Sequence, residues 1–480
     1  MELNEILAQR KEKLNSFEAT SGAYPNVDFP DYQDIASVIK EFQEGRKVVL
    51  SGRIMAKRVH GKVIFADLRD MSGRIQLYVK ADSIGQEKFK GFDNLDIADI
   101  IQAKGELFKT HTGEPTVKVE DFRLLAKSLR PLPEKWHGLK DVELRYRQRY
   151  LDLIANEEVK KVFLMRARII KAIRDYLDSR GFIEVETPMM HSIAGGAAGR
   201  PFKTFHNEYA MDLYLRIAPE LYLKRLIVGG LDRVYEINRS FRNEGVSTRH
   251  NPEFTMLEVY QAYANYKDMM RLTEELIVHV TRAVLGKEEF VYQDKAVKLS
   301  PPWQERSFAD MVKDKFGILP SDDASTMLRK IQDKGFAQDK DKLTRSQVNK
   351  IIEDVLEHDI AATPTFVTDY FTNLCPLAKA KRGNPLISER FELYIAGIEI
   401  GNAYTELNNP LEQRRRFEEE IKELEPLEQK KVDEDYIIAL EHGMPPTGGL
   451  GIGIDRLCML LTNQPSIRDV ILFPLLRPEG

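Results

Sequence analysis

The sequence predicts a multidomain protein in which an all-β barrel precedes a larger α+β domain. Three observations predict this arrangement. At 480 residues the chain is too long for a single compact core, so two or three domains are expected. Residues 46–130 alternate apolar and polar side chains in short runs divided by glycine, which is typical of strands. Residues 161–480 combine long helical stretches with separate strand-like runs.

The first of these regions has the dimensions of a known barrel. Its strand-like runs include VVLSGRIMAKRVH, KVIFADLR and RIQLYVK, and two further runs follow before residue 130. Five strands in roughly 80 residues is the size of an OB-fold, a common platform for oligonucleotides. We therefore predict an OB-fold over 46–130.

The remaining segments are assigned by local pattern. Residues 1–45 are predicted to be a helical extension, 131–160 a linker broken by Pro131 and Pro133, and 304–360 a small helical insertion in the α+β domain. The first helix has two interpretations: it packs on the barrel, or it forms a basic arm near RNA phosphates. Its basic residues are Arg10, Lys11 and Lys13.

Composition excludes several classes of protein. A formal net charge of -4 excludes a globally basic nucleic-acid binder, although one surface can still be basic. Two distant cysteines, Cys375 and Cys458, allow neither a disulfide framework nor a CxxC zinc site. The charged N-terminus does not resemble a signal peptide, and no apolar run approaches the ~20 residues of a membrane span. These features predict a cytoplasmic protein without a membrane partner.

The segment 241–266 carries the strongest pattern. Arg242 and Glu244 lie two apart, so on a strand they would face the same side. A glycine-containing loop follows, and the strand is expected to resume after Phe254. Such a hairpin presents a guanidinium to a phosphate or carboxylate, and Phe254 can stack on a purine. The alternative is a surface hairpin with incidental ion pairs.

Two further blocks accompany this hairpin. Residues 181–190, GFIEVETPMM, read as a helix-ending glycine followed by a strand and a proline. Residues 448–462, GGLGIGIDRLCMLLT, read as a glycine-rich strand followed by an apolar helix. The second block is not a dinucleotide-binding loop. That fingerprint opens a βαβ unit, which cannot fit into the roughly 30 residues that remain here.

Together and in this order, the three blocks resemble the signature motifs of class II aminoacyl-tRNA synthetases. The resemblance implies a catalytic domain built on an antiparallel sheet and a homodimer interface around Pro188. It implies that Arg242, Glu244 and Arg456 are catalytic. The implied ATP-binding residues are Arg242, Glu244, His250, Asn251, Phe254, Glu392 and Arg456.

A metal site is implied in the segment 390–410. Glu392 and Glu399 are seven apart and would face opposite sides of one strand, so they converge only if Ala396–Gly397 forms a turn or bulge. In the class II family both positions hold Mg²⁺ against the phosphates of ATP, a role suited to oxygen ligands. Without the resemblance, two solvated glutamates are the alternative.

The resemblance also identifies a subgroup. A barrel before the catalytic domain marks the enzymes for Asp, Asn and Lys, and residues 216–226, 249–263 and 399–410 are similar to lysyl-tRNA synthetases. An aspartate pocket would need a converging cation, and 399–409 contains none. Glu406 is the candidate for the ε-ammonium. The implied lysine-binding residues are Gly196, Glu220, Arg242, Glu258, Tyr260, Asn402, Tyr404 and Glu406.

The implied partners are ATP, L-lysine and tRNA(Lys), with a lysyl-adenylate intermediate. Phe65 and Gln76 match anticodon-contacting positions, with Glu114 a weaker candidate, and burial of Phe65 inside the barrel is the alternative. Three other functions stay open. They are a paralogue that lysylates a protein, an aspartate or asparagine enzyme, and a noncatalytic RNA-binding protein.

Overall fold

The computed structural model describes residues 3–20, 22–26, 32–132, 139–196, 199–338, 343, 345–357, 360, 362–423 and 431–478. The chain divides into two compact units, Met1–Lys140 and Asp141–Gly480. Within the predicted linker 131–160, Pro133 and the five residues after it lie outside the described residues. The remainder of that segment is largely helical, as given below.

The first unit contains a closed barrel with strand order β1-β2-β3-β5-β4, so the prediction of a five-stranded barrel is confirmed. Its strands are β1 (Lys47–His60), β2 (Val63–Arg69), β3 (Arg74–Lys80), β4 (Ile100–Lys109) and β5 (Pro115–Ala126). Its helices are α1 (Leu3–Thr20), α2 (Ile35–Lys40), α3 (Ala81–Ile84) and α4 (Gln86–Asp93).

Alternation along the strands builds the barrel core. On β2, Ile64, Ala66 and Leu68 are buried, whereas the residues between them face outward. Phe92 of α4 joins the same core and packs against the Phe122 ring at 5.1 Å. Gly105 lies where β4 shifts register, and a Cβ there would meet the carbonyl oxygen of Lys118 at 2.1 Å, so only glycine fits.

Helix α1 packs on the barrel. Lys13 Nζ donates to Asp96 at 2.7 Å, and Arg10 donates to the Ser128 carbonyl at 2.7 Å. Phe17 is buried in the barrel core. The packing interpretation of this helix is therefore confirmed, and two of its three basic side chains hold the helix in place.

The second unit is an α+β domain. Its helices are α5 (Val142–Arg147), α6 (Arg149–Ala155), α7 (Glu157–Ser179), α8 (Glu220–Val228), α9 (Tyr266–Leu285), α10 (Phe308–Phe316), α11 (Ala324–Gln332), α12 (Arg345–Glu357), α13 (Pro410–Glu423), α14 (Glu434–Glu441), α15 (Ile454–Leu461) and α16 (Ile467–Val470). Its strands are β6 (Ile183–Glu184), β7 (Met190–His191), β8 (Lys203–His206), β9 (Met211–Leu215), β10 (Arg233–Phe241), β11 (Glu253–Ala262), β12 (Glu289–Tyr292), β13 (Lys295–Lys298), β14 (Gln304–Ser307), β15 (Thr365–Thr368), β16 (Ala380–Lys381), β17 (Asn384–Ser388), β18 (Arg390–Ile395), β19 (Ile398–Thr405) and β20 (Thr447–Gly453). None of the described helices combines the length and apolar content that crossing a bilayer requires.

The main sheet has the order β14-β15-β18-β19-β20-β11-β10-β6. Its central pairings are antiparallel, and the parallel pairs lie at its two edges. Leu257 and Val259 of β11, with Leu450 and Ile452 of β20, form a core with α7, α9 and α15 on one face. The residues that alternate with them point to the opposite face, where the cleft described below lies.

Two strand assignments differ from the prediction. Gln304–Ser307 opens the predicted helical insertion as edge strand β14, and helices α10–α12 with a core of their own follow it. The strand predicted before Pro188 is reduced to Ile183–Glu184, and a second short strand, Met190–His191, follows the proline. Pro188 lies between these two short strands and has no N–H to donate to a ladder.

Candidate active site and candidate nucleic-acid interface

The floor of the cleft consists of three neighbouring strands, β11, β20 and β19. Two rows of residues cross them in register: Glu258–Gly451–Asn402 and Tyr260–Gly449–Tyr404. In both rows the middle strand contributes glycine, so its backbone forms a groove between side chains on either side. The predicted glycine-rich strand followed by an apolar helix is thereby confirmed as β20 and α15.

A cleft of about 2130 Å³ opens over this floor. Glu406 is not part of its lining and lies beneath it, 1% exposed. The other predicted residues of the catalytic domain all line the cleft: Gly196, Glu220, Arg242, Glu244, His250, Asn251, Phe254, Glu258, Tyr260, Glu392, Glu399, Asn402, Tyr404 and Arg456. The structure thus brings together residues from distant parts of the chain; Gly196 and Arg456 are 260 positions apart.

Arg242 and Glu244 reach the cleft from a loop, so the prediction that they share a strand is wrong. Strand β10 ends at Phe241, whose partner is Glu253. The backbone N–H of Arg242 then bonds to the Pro252 carbonyl at 2.9 Å, and that of Glu244 bonds to the Arg242 carbonyl at 3.0 Å. The chain turns away from the ladder here, and the turn still directs both side chains into the cleft.

The guanidinium of Arg242 is set up to receive an anion. It lies over the Phe254 ring at 5.2 Å from the centroid. Its Nε is buried, and no group in the described part of the chain bonds to it. Burial lowers the pKa of Arg242, although Glu244 and Glu399 act in the opposite direction. A cation with a buried, open donor is costly unless a ligand supplies the missing acceptor.

Glu392 and Glu399 lie on a hairpin, which confirms the predicted turn at Ala396–Gly397. Both turn residues have positive φ, 55° and 78°. The pairing then changes from Leu393 with Gly401 to Tyr394 with Glu399, so Ile400 is an extra, bulged residue. The bulge puts Glu399 on the same face as Asn402, the partner of Glu392.

Each of the two carboxylates is held by its neighbours. Glu392 accepts from Tyr370 Oη at 2.8 Å and Tyr394 Oη at 2.7 Å, and it also contacts Arg390. Glu399 accepts from Arg456 at 2.8 Å. Although burial acts to raise the pKa of Glu399, the charge and hydrogen bond of Arg456 hold it below its usual value.

These carboxylates fit a divalent cation that is shared with phosphates. Burial raises the pKa of Glu353 on α12 to about 8, and the charges of Glu392 and Glu399 add to this shift. No three His, Cys, Asp or Glu side chains among the described residues could hold a metal ion alone. Mg²⁺ is usually bound through one or two carboxylates plus substrate phosphates, so two protein ligands suffice.

The other end of the cleft is an acidic pocket. Glu220 and Glu258 are buried in its wall, and Gly196 adopts φ +89° beside Glu220. Burial raises the pKa of Glu258 to about 8, Glu220 adds to this shift, and a 3.0 Å hydrogen bond from Tyr260 opposes it. Burial also raises the pKa of Glu406, against the effect of a nearby ammonium.

That ammonium belongs to Lys224, a residue the sequence analysis missed. Its Nζ lies 2.5 Å from Glu220 Oε1 and also contacts Glu406 Oε2. The i,i+4 spacing of Glu220 and Lys224 on one helix was an available signal. Lys224 does not indicate an aspartate pocket, because two carboxylates already neutralise its charge.

In the first unit, an outward-facing row of aromatic rings crosses the barrel. Phe65 lies outside the barrel core, 5.3 Å from the Tyr78 ring, which is 5.6 Å from the Phe108 ring. Gln76 lies on the strand next to Phe65 and is 7% exposed. Its amide donates to Glu114 at 3.3 Å, which fixes its orientation. Rings and an oriented amide on a barrel surface are the groups that read single-stranded bases.

Comparison with known proteins agrees with both parts of this architecture. A family model described as class II tRNA synthetases (D, K and N) matches residues 141–477. A second, described as OB-fold nucleic acid binding domain, matches residues 48–125.

Full-length relatives narrow the assignment. The chain is 51% identical to a lysine–tRNA ligase of Thermoanaerobacter sp. (strain X514), over all of this chain and 97% of that protein. It is 52% identical to the lysine–tRNA ligase of Carboxydothermus hydrogenoformans, over all of this chain and 99% of that protein. It is 51% identical to the lysine–tRNA ligase of Moorella thermoacetica, over 99% of this chain and 98% of that protein. The chain therefore belongs to the class II tRNA synthetases and, among them, to the family of lysine–tRNA ligases.

Proposed function

We propose that the chain activates L-lysine with ATP to lysyl-adenylate and transfers the lysine to the 3′ end of tRNA(Lys). One observation carries the substrate assignment. The cleft offers Arg242, whose Nε is buried and has no acceptor among the described residues, and an acidic pocket formed by Glu220 and Glu258 with Glu406 beneath the floor. Lysine has the complementary charges, one carboxylate and two ammonium groups. A closed pocket needs such pairing because an unpaired buried charge is unfavourable.

The roles of the residues follow from their places in the cleft. The substrate carboxylate attacks the α-phosphorus of ATP, and pyrophosphate leaves. Arg242 orients the carboxylate and the α-phosphate, and Arg456 binds the outer phosphates. Glu392 and Glu399 would hold Mg²⁺, which neutralises phosphate charge when bound. The chain itself contributes positioning and electrostatic stabilisation and forms no covalent intermediate.

The test is ATP–pyrophosphate exchange on the purified protein, with each amino acid in turn and without tRNA. We expect exchange with lysine alone. Exchange with aspartate or asparagine would retain the enzyme class and overturn the assignment of the pocket. Absence of exchange with every amino acid, while tRNA is still bound, would favour the noncatalytic alternative.

Lysine binding should release a proton at pH 7. Because the pKa of Glu258 is raised to about 8, its carboxyl is mostly protonated at pH 7 in the empty pocket. A bound ammonium favours the ionised form, so binding lowers this pKa and displaces the proton. Affinity for lysine should therefore rise with pH up to about 8. Calorimetric titrations at pH 7 in two buffers of different ionisation enthalpy measure the protons released.

Glu258→Gln is the control for this experiment, since the amide is neutral at every pH. The variant should bind lysine more weakly and release close to no proton. Equal proton release by the variant and the original protein would assign the proton to another group, such as Glu406.

Phe65→Ala should weaken the use of tRNA without weakening adenylate formation. The ring lies on the barrel surface in contact with Tyr78, and we infer that it stacks on an anticodon base, with Gln76 at a base edge. Loss of one stacking interaction, about 1–3 kcal/mol, corresponds to a roughly 5- to 150-fold higher KM for tRNA. Aminoacylation and exchange are measured in parallel. A variant that only melts earlier, with an unchanged KM for tRNA, would contradict this role.

We also propose a homodimer and a cytoplasmic location. Exposed apolar side chains near Pro188 support a dimer interface: Ile183, Met189, Met190 and Phe205. Sedimentation equilibrium gives the mass in solution, and a monomer at all concentrations would exclude this interface. Cys375 and Cys458 are buried and unpaired, which is usual in a reducing compartment.

A further inference from the structure

Lys224 occupies an unusual place in the acidic pocket. Its side chain is fully buried on α8, and its Nζ contacts Glu220 and Glu406 at the same time. The Nζ also lies 5.6 Å from the centroid of the Tyr404 ring, and the Tyr404 hydroxyl donates to the other oxygen of Glu220 at 2.7 Å. Every one of these contacts is with a residue assigned to the lysine pocket under the proposed function.

We propose that Lys224 is a positioning residue that sets the specificity of the pocket for the length of its cationic substrate. This inference rests on the proposed function. Glu406 is the candidate for the ε-ammonium of the substrate, and we assign Glu220, which lies beside Gly196, to its α-ammonium. Lys224 links these two carboxylates from behind, so it fixes the separation of the groups that receive the two ends of the substrate.

The charge balance of the pocket supports this role. Glu220, Glu258 and Glu406 bring three carboxylates together, and Lys224 supplies one ammonium. Two negative charges remain when all three are ionised, which equals the number of ammonium groups on lysine. Without Lys224 three negative charges would remain, and their mutual repulsion would keep one more carboxyl group protonated. A protonated carboxyl is a poorer partner for a cation.

The oxygen of Glu406 that Lys224 does not contact is the candidate acceptor for the ε-ammonium of the substrate. Lys224 forms an ion pair with Oε2, whereas Oε1 has neither an ion pair nor a hydrogen bond with any group in the described chain. Oε1 lies against the floor strand, because a Cβ on Gly449 would approach it to 1.9 Å. Lys224 therefore leaves Oε1 of Glu406 without a donor among the described residues, buried beneath the cleft floor beside Gly449 of β20.

A buried ion pair in the barrel provides a matched control. Lys127 is also fully buried and also bridges two carboxylates, those of Asp96 at 2.5 Å and Asp99 at 2.7 Å. Neither aspartate lines the cleft. Lys127→Met therefore removes a similar internal cation at a place that serves only the fold of the first unit.

The experiment compares Lys224→Met, Lys224→Arg and Lys127→Met in lysine-dependent exchange, with the fraction of folded protein measured by circular dichroism. Lys224→Met should raise the KM for lysine about 30-fold, which is the effect of losing one hydrogen bond to a charged group. Its KM for ATP should stay within about twofold of that of the original protein. Lys127→Met should leave both KM values unchanged. Unchanged lysine KM in folded Lys224→Met would overturn the proposal.

Lys224→Arg keeps the charge and serves if the methionine variant does not fold. The wider guanidinium cannot hold the two carboxylates at the same separation. We expect the ratio of kcat/KM for lysine to that for ornithine, one methylene shorter, to change at least about threefold, within the range of discrimination by one methylene. An unchanged ratio would overturn the role in specificity. The original protein is assayed alongside: failure of its exchange with lysine would refute the proposed function instead.

Discussion

Replacing Arg242 by alanine is expected to slow lysine-dependent ATP–pyrophosphate exchange by at least about 10²–10³-fold, or about 2.7–4 kcal/mol of transition-state stabilisation. The guanidinium lies between the acidic pocket and the proposed phosphate site, over the Phe254 ring, and its Nε has no acceptor among the described residues. Negative charge on the α-phosphate would be met there by donors already in position. Pre-steady-state measurement of adenylate formation isolates this step.

The same substitution should not reduce stability, and this separates a catalytic role from a structural one. Burial lowers the pKa of Arg242, so its charge is less favourable in the folded protein than in water. Removal of a cation whose buried Nε has no acceptor among the described residues relieves that penalty, as functional residues often oppose stability. We expect the Tm of Arg242→Ala to equal or exceed that of the original protein.

Two further variants sharpen this test. Arg242→Lys retains the charge and loses the planar fork, so it should recover little activity if two-point binding of the carboxylate and phosphate matters. Arg239→Ala, on the preceding strand, removes a half-buried arginine that pairs with Glu253 at 3.4 Å outside the cleft. That control should exchange normally. Near-normal adenylate formation in Arg242→Ala would exclude the assigned role.

The sequence predicted features that depend on local pattern. Alternation along 47–60, 63–69 and 74–80 predicted the barrel strands, because side chains on a pleated strand alternate between core and surface. The odd spacing of Glu392 and Glu399 required a turn, and the Ala396–Gly397 dipeptide was the only candidate between them. The resemblance then supplied the residues, and all of those assigned to the catalytic domain except Glu406 line one cleft.

What could not be predicted depends on three-dimensional neighbours. The bulge at Ile400 brings Glu399 to the face of Asn402, and bulges have no reliable sequence signal in an apolar run. Arg242 lies just outside its strand because its register partner, Pro252, accepts its N–H but has no N–H to donate back, so the ladder ends there. Lys224 looked like half of an ordinary helical ion pair until the fold brought Glu406, 182 positions later, to the same ammonium.

Gly449→Ala should nearly abolish the use of lysine. The new Cβ would lie 1.9 Å from Glu406 Oε1 and 2.6 Å from a ring atom of Tyr260, so one or both side chains must move. Both belong to the proposed lysine pocket, and the Tyr260 hydroxyl also bonds to Glu258 at 3.0 Å. Overpacking a well-filled site costs about 1–3 kcal/mol. We therefore expect the KM for lysine to rise by about 100-fold, which lies within that range of free energy.

The effect should be specific, because the strain falls on the amino-acid end of the cleft. Gly449 has no positive φ, so alanine introduces a steric conflict without a backbone one. Gly453→Ala, four residues along the same strand, is the matched control, since its Cβ would meet nothing nearer than 3.7 Å. We expect that variant to keep its KM for lysine, and both variants to keep a KM for ATP within a few-fold, about 1 kcal/mol. Two glycines on β20 separate the side chains of β11 from those of β19, and the substrate is assigned to the space above them. A lysine KM unaffected by Gly449→Ala would show that the substrate lies elsewhere in the cleft. The assignments of Glu406 and Tyr260 to the lysine pocket would then be wrong.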